Sequence, residues 1–252
     1  PFLDFLAQYP NSGWAMAVHI NLGLGYYRSG YYSRSITSYE QAWALGKTST
    51  INEAKRLADR AIGELLRMHA RIGHMDQIDT LLAEISTRDI QGSATELVTG
   101  TKEGLWTMRN RPEIAFLCGP KALVNVLSRT GGTKEQILIA HAAESGPKGF
   151  SLNQLSELTT KTGLKHRIIK REPGQPIPVP AIIHWKLSHY AAVVDETDGR
   201  YLLDDPTFLA GAQGMTREAI DAEGSGYFII PESAKPTGAV RGGDPEGTRY
   251  MI

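Results

Sequence analysis

The sequence predicts an α+β protein in which an all-helical N-terminal part precedes a second domain with an antiparallel sheet. Apolar residues recur at helical spacing from Trp14 to about Ser86, without strand-like alternation. A second helical pattern begins at Cys118, and valine-rich segments separated by an Asp198-Gly199 turn signal follow it. We expect helical repeats at residues 1–90, a helical junction at 91–111, the second domain at 112–230 and a flexible tail at 231–252.

Composition excludes several classes of protein. The 252 residues carry 27 Lys and Arg against 27 Asp and Glu, so we expect no basic surface for nucleic acid. Apolar runs stay below the roughly 20 residues that a membrane span requires. Cys118 is the single cysteine, which excludes an internal disulfide. The histidines, including His69, His74, His141 and His166, lack ligand spacing with carboxylates, so we expect neither a metal nor a cofactor.

The N-terminal part contains two related helical patterns. Residues Asn21 to Gly30, followed by Ser35, Tyr39 and Ala42, resemble a tetratricopeptide repeat, and a poorer copy runs from Ile62 to Ile85. In this repeat Gly23 lies where two helices touch closely, and Ala42 is a small packing position. The resemblance also raises the possibility of a protein partner for the repeats.

Five tyrosines lie close together in the first repeat: Tyr26, Tyr27, Tyr31, Tyr32 and Tyr39. We interpret them as packing residues, because they occupy consensus or near-consensus positions of the repeat. Contact with a bound peptide is the alternative interpretation.

Cys118 lies at the predicted start of a helix. Pro120 fits the first helical turn, where its missing N–H would have no partner in any case. The positive end of the helix dipole and the free N–H groups there lower a thiol pKa and stabilise the thiolate nucleophile. The alternative is that Cys118 is a small buried core residue.

Two downstream residues complete a possible catalytic set. His189 begins a predicted strand 71 residues after Cys118, and Asp205 ends another strand 16 residues later. A thiol nucleophile needs a base, and the base needs an acceptor that fixes its ring. A tight two-residue turn at 198–199 would put Asp204 on the His189 face, whereas a three-residue loop with a bulge would put Asp205 there. We expect Asp205, with Asp204 as the alternative carboxylate.

Four motifs in this order resemble the bacteriocin-processing cysteine peptidases, papain-like domains that cut leader peptides after a double glycine. The motifs are Cys118-Gly119-Pro120, Pro180 to Trp185, His189-Tyr190 and Asp205-Pro206, within residues 110 to 230. The resemblance implies Cys118 as nucleophile, His189 as base and then acid, and Asp205 as orienting carboxylate. It also implies a peptide or protein substrate and slightly favours a bacterial secreted or cell-envelope setting.

The sequence departs from the family pattern near the nucleophile. Pro112 occupies the position where the family has a Gln that helps to hold the oxyanion, so Asn110 or the helix N-terminus at Gly119 are the candidate donors. Leu117 replaces the usual Asp or Asn, and Ser188 replaces the usual Gly before the histidine. His184 and Trp185 either pack beside the site or contact substrate.

Two other functions remain open from the residues. The missing Gln favours a degenerate domain that binds a peptide without cutting it, while the catalytic set also fits a papain-like amidase or acyl transferase. The predicted tail contains Gly242-Gly243, which gives the hypothesis of self-cleavage after Gly243.

Overall fold

The computed structural model describes residues 1–205, 207–208, 212–232, 234 and 240–241. The chain divides into two units, Pro1–Thr107 and Met108–Ile252. Among the described helices, none combines the length and the apolar composition that crossing a membrane demands.

Helices alone form the regular structure of the first unit, which confirms the predicted all-helical N-terminal part. They are α1 (Phe2–Gln8), α2 (Ala15–Arg28), α3 (Tyr32–Gly46), α4 (Asn52–Ile72), α5 (Met75–Glu84) and α6 (Ala94–Asn110), whose last three residues belong to the second unit. Helix α6 continues through Gly100 and Gly104. Glycine lowers helix stability by only about 1 kcal/mol relative to alanine, which the rest of a long helix can offset.

Helices α2 and α3 form a closely packed hairpin. A Cβ atom added to Gly23 would lie 2.6 Å from Cε1 of Tyr39, a distance too short for two carbon atoms. The Ser35 hydroxyl donates to the Gly23 carbonyl at 2.8 Å, and Ala42 is completely buried. The close contact at Gly23 and the small packing position at Ala42 are therefore both present.

The tyrosines of the first repeat divide into two groups. Tyr27, Tyr32 and Tyr39 are buried, in accord with a packing role. Tyr26 and Tyr31 are half-buried, and the Arg34 guanidinium carbon lies 5.8 and 4.7 Å from their ring centroids. Cation–π contacts of this kind stabilise a partly exposed surface.

Helices α4 and α5 form the second hairpin. Gly73 ends α4 with φ of 75°, the left-handed conformation that glycine adopts without strain. Ile62, Leu66 and Ile78 are completely buried. The larger aliphatic residues of the poorer copy thus fill its core.

The second unit is an antiparallel sheet with helices packed on it. Its remaining helices are α7 (Pro112–Ala115), α8 (Cys118–Arg129), α9 (Lys134–His141), α10 (Leu152–Lys161) and α11 (Arg217–Glu223). Its described strands are β1 (His166–Lys170), β2 (Ala181–Trp185), β3 (His189–Thr197), β4 (Arg200–Asp204), β5 (Gln213–Thr216), β6 (Gly224–Pro231) and β7 (Val240–Arg241). Their order is β5-β4-β3-β2-β6-β1-β7. The predicted α+β class with an antiparallel sheet is confirmed.

Helix α8 packs across the centre of this sheet. Leu123 and Leu127 on α8 belong to one buried cluster with Tyr190 and Ala192 of β3 and Ile229 of β6. Because strand side chains alternate between faces, His189 lies on the opposite face from Tyr190, at the first residue of β3. The packing brings the starts of α8 and β3 together.

Part of the predicted tail pairs with the sheet. Pro231 ends β6, and Val240 and Arg241 pair with Lys170 and Ile169 of β1. The Gly242-Gly243 pair of the self-cleavage hypothesis lies outside the described residues.

We expect Gly23→Ala to lower the free energy of unfolding by about 1–3 kcal/mol, because its methyl group overlaps the buried Tyr39 ring. Gly25→Ala is the matched control on the same helix, where an added Cβ has no atom within 4 Å. The control should be neutral or stabilising by up to about 1 kcal/mol through helix propensity. Urea unfolding monitored by circular dichroism measures both variants, and equal effects would contradict the packing argument.

Candidate active site

Cys118 is the first residue of α8, and its side chain is half-buried. The Lys121 N–H donates to the Leu117 carbonyl at 3.0 Å, which closes the first turn around the cysteine. The initial N–H groups of a helix lack partners within the helix and carry its positive dipole end. The thiol therefore lies where a negative charge is stabilised.

Gly119 follows the cysteine in a crowded part of this turn. It is buried, and a Cβ atom at this position would lie 3.2 Å from both Leu155 methyl carbons and 3.5 Å from Cδ2 of Tyr190. Its lack of a side chain lets the start of α8 approach α10 and β3 closely.

His189 begins β3 directly opposite Trp185 of β2. Ser188, the residue before it, has φ of 61°, a left-handed conformation that glycine adopts more readily. This conformation gives a physical reason for the glycine that the family usually has at this position. The His189 side chain is only 3% exposed, so its ring is fixed by its surroundings.

Asp205 fixes the His189 ring. The Nε2–H group of His189 donates to Oδ2 of Asp205 at 2.8 Å, and the Thr207 N–H donates to Oδ1 at 3.0 Å. Both carboxylate oxygens thus accept a hydrogen bond, and Asp205 is 7% exposed. With Nε2 occupied, Nδ1 is the ring nitrogen that remains for the thiol.

A bulge in β3 decides which aspartate meets the histidine. The turn at Asp198-Gly199 has two residues, because Thr197 pairs directly with Arg200. The register then shifts between Val193 and Asp195, which places Asp204 opposite Ala192. Asp205 therefore has the parity of His189, and the alternative carboxylate, Asp204, lies on the other face. Sequence reasoning linked this parity to a longer loop, but the bulge alone produces it.

The Cys118 thiol and the His189 ring form an electrostatic pair. Burial raises the pKa of the thiol, but the His189 charge, a hydrogen bond with its ring and the Tyr190 backbone N–H lower it, and the result lies below 9.0. Burial lowers the pKa of His189, but the negative charges of Asp205 and Cys118 raise it to about 10. Both shifts favour a thiolate beside a protonated imidazole.

Two neighbours of this pair escaped the sequence reasoning. The Tyr190 backbone N–H contributes to holding the sulfur, as its effect on the thiol pKa indicates. Phe208 is buried, and its ring meets the His189 ring edge-on with centroids 5.2 Å apart. Phe208 follows Asp205 by three positions, but this spacing predicts a contact with His189 only once the fold is known.

Pro112 and Asn110, the two upstream positions considered for oxyanion binding, lie within eight residues of the start of α8. Pro112 begins α7, and its carbonyl accepts from the Ser145 hydroxyl at 2.5 Å. Its side chain offers no hydrogen-bond donor. Asn110 is exposed at the end of α6.

His184 and Trp185 are buried in β2, which accords with packing beside the site, one of the two interpretations given for them. Nδ1 of His184 lies 2.9 Å from the Ser225 hydroxyl oxygen, and its ring centroid lies 4.9 Å from that of Tyr190. Burial and the charge of His189 lower the pKa of His184 to about 4. This neutral ring packs inside the domain.

Among the described residues, the structure shows no cluster of three or more His, Cys, Asp or Glu side chains suited to a metal ion. The arrangement of Cys118, His189 and Asp205 offers the chemistry of a thiolate, an imidazolium and a carboxylate.

We expect the rate of Cys118 alkylation by iodoacetamide to rise with pH through an inflection below 9.0, since the thiolate is the reactive form. In His189→Ala the inflection should move upward and the rate at neutral pH should fall, because burial still disfavours the charged sulfur. His141→Ala, at the exposed end of α9, is the control. Stopped samples analysed by mass spectrometry give the rates, and superimposable profiles for all three proteins would refute the ion pair.

Three solved structures are similar to part of this chain, each over 48% of its length and each with a TM-score of 0.38. The first is a double glycine motif protease from an AMS/PCAT transporter in complex with the leader peptide, with 22% identity and 84% of its chain covered. The second is the peptidase domain of Streptococcus ComA, with 21% identity and 93% covered. The third is the N-terminal peptidase C39 like domain of a toxin secretion ATP-binding protein from Vibrio parahaemolyticus, with 11% identity and 97% covered.

None of the curated proteins matches the chain. The family resemblance predicted from the sequence is nevertheless confirmed for the second unit, because residues 117–236 match the peptidase C39 family.

Proposed function

We propose that residues 112–230 form an active cysteine endopeptidase with Cys118, His189 and Asp205 as its catalytic triad. The observation that carries the proposal is the His189 ring, which donates to Asp205 from Nε2 and interacts with the Cys118 thiol. The peptidase C39 match of residues 117–236 supports it independently.

Acylation begins when the Cys118 thiolate attacks the carbonyl carbon of the scissile peptide bond. The carbonyl π electrons move to oxygen and form an oxyanion. When the tetrahedral intermediate collapses, the carbon–nitrogen bond breaks and protonated His189 gives its proton to the leaving amine. The products of this step are a thioester on Cys118 and a free amino terminus.

Deacylation uses the same histidine as a base. Neutral His189 takes a proton from water, and the resulting hydroxide attacks the thioester carbonyl. Collapse expels the Cys118 thiolate and releases the carboxyl product, which restores the ion pair. Asp205 holds the imidazole in one orientation throughout, because its two oxygens are fixed by His189 and by the Thr207 N–H.

The start of α8 is the proposed oxyanion site. The backbone N–H groups of Cys118 and Gly119 belong to the first helical turn, beside the sulfur. Loss of one oxyanion donor typically slows an enzyme by about 10² to 10³-fold, so Pro112 in place of the family's Gln implies slow turnover unless these groups compensate.

The proposed substrate is a peptide or protein with small residues, Gly-Gly or Gly-Ala, before the cleaved bond, as the family resemblance implies. The helical repeats of the first unit are a proposed surface for a protein partner. The chemistry of the triad itself is indifferent to substrate side chains, so this selectivity must come from the surrounding cleft.

We expect the unsubstituted chain to cleave synthetic leader-type peptides after Gly-Gly or Gly-Ala, and to cleave versions with Val at these positions much more slowly. Mass spectrometry of the products identifies the cleaved bond. Cys118→Ala is the control and should give no product. Peptide binding of equal affinity by both proteins, without cleavage by either, would favour the alternative of a peptide-binding domain, which Pro112 suggests.

We expect Asp205→Asn to lower kcat for such a peptide by about ten-fold or more, because an amide fixes and stabilises the imidazolium less well than a carboxylate. Asp204→Asn is the matched control, since Asp204 lies opposite Ala192 on the other face of the sheet. Its kcat should stay close to that of the unsubstituted chain. The reverse order of effects would assign the orienting role to Asp204.

A further inference from the structure

Two histidines of the first unit face each other at the corner between α4 and α5. Nδ1 of His69 lies 3.3 Å from Nδ1 of His74, and the ring centroids are 5.4 Å apart with an interplanar angle of 33°. Neither residue belongs to the proposed catalytic site, which lies in the other unit.

Backbone hydrogen bonds hold the chain at the two histidines. The His74 N–H donates to the His69 carbonyl at 3.0 Å, and the Ile78 N–H donates to the His74 carbonyl at 3.1 Å. Gly73 makes the reversal between them with φ of 75°. These bonds hold the backbone at both histidines, which limits the positions that the two rings can take.

The two histidines differ in exposure. His69 is 5% exposed, whereas His74 is half-buried. His74 is therefore the more exposed member of the pair.

The spacing suits a metal ion. In tetrahedral zinc sites the metal–nitrogen bond is about 2.0–2.1 Å, which places two ligand nitrogens about 3.3–3.4 Å apart. The observed 3.3 Å matches this separation. Two neutral rings facing through Nδ1 can share at most one hydrogen bond, whereas a cation uses both lone pairs.

We propose that His69 and His74 form a two-histidine site for a divalent transition-metal ion such as Zn²⁺. Within the described residues a third His, Cys, Asp or Glu ligand is absent, so water completes the coordination. The bound ion would tie the end of α4 to the start of α5 and stabilise the second helical hairpin. Sequence reasoning excluded a metal because it required carboxylates at ligand spacing, and the pairing of two histidines depends on the helix corner.

Isothermal titration of the untagged chain with Zn²⁺ tests the site. Cys118→Ala must be the background, since the thiolate and His189 could also bind zinc. We expect this variant to bind one Zn²⁺ ion per chain. Adding His69→Gln or His74→Gln should abolish the binding, whereas adding His141→Gln, on the exposed end of α9, should leave it unchanged.

Thermal unfolding gives a second measurement. Zn²⁺ should raise the unfolding midpoint of the Cys118→Ala protein and leave that of the Cys118→Ala, His74→Gln protein unchanged. If His69→Gln fails to fold by circular dichroism, the half-buried His74 position decides the question. Absence of binding to the Cys118→Ala chain, or equal binding after His74→Gln, overturns the proposal.

Discussion

The candidate site of the second unit depends on the buried imidazole of His189, which interacts with the Asp205 carboxylate through one ring nitrogen and with the Cys118 sulfur through the other. Removing His189 and Cys118 from water disfavours the charged form of both, as the direction of the burial effect on each pKa shows. Their mutual attraction and the Asp205 carboxylate reverse these effects. A proton is then held on nitrogen while the sulfur carries the negative charge, and this condition requires three segments distant in sequence to meet.

Small features of the backbone create that meeting. The helix start at Cys118 supplies N–H groups, the left-handed Ser188 turns the chain into β3, and the bulge after Val193 shifts the register by one residue. Without the shift, Asp204 would have the parity of His189, because successive strand residues alternate between faces. A single inserted residue thus selects which carboxylate accepts a hydrogen bond from His189.

Close approach of the backbone also decides which side chains meet in the first unit. Gly23 lets the Tyr39 ring lie against α2, and the tight corner at Gly73 brings His69 and His74 face to face. The apolar residues of both hairpins make a stable scaffold, and the histidine pair adds a chemical feature that the packing by itself does not require.

Local patterns in the sequence determined the helical N-terminal part, the helix start at Cys118 and the hairpin around Asp198-Gly199, because periodicity, capping and turn preferences act over a few residues. The motif order also gave the family and the candidate triad. Only the tertiary structure decided whether Asp205 or Asp204 contacts His189. It also decided that His184 and Trp185 are buried, that Phe208 packs on His189 and that His69 lies beside His74. Each of these outcomes depends on strand register, side-chain burial or the angle between two helices. Register, burial and helix angle are set by contacts between separate segments. They cannot be read from the composition or the spacing of one segment.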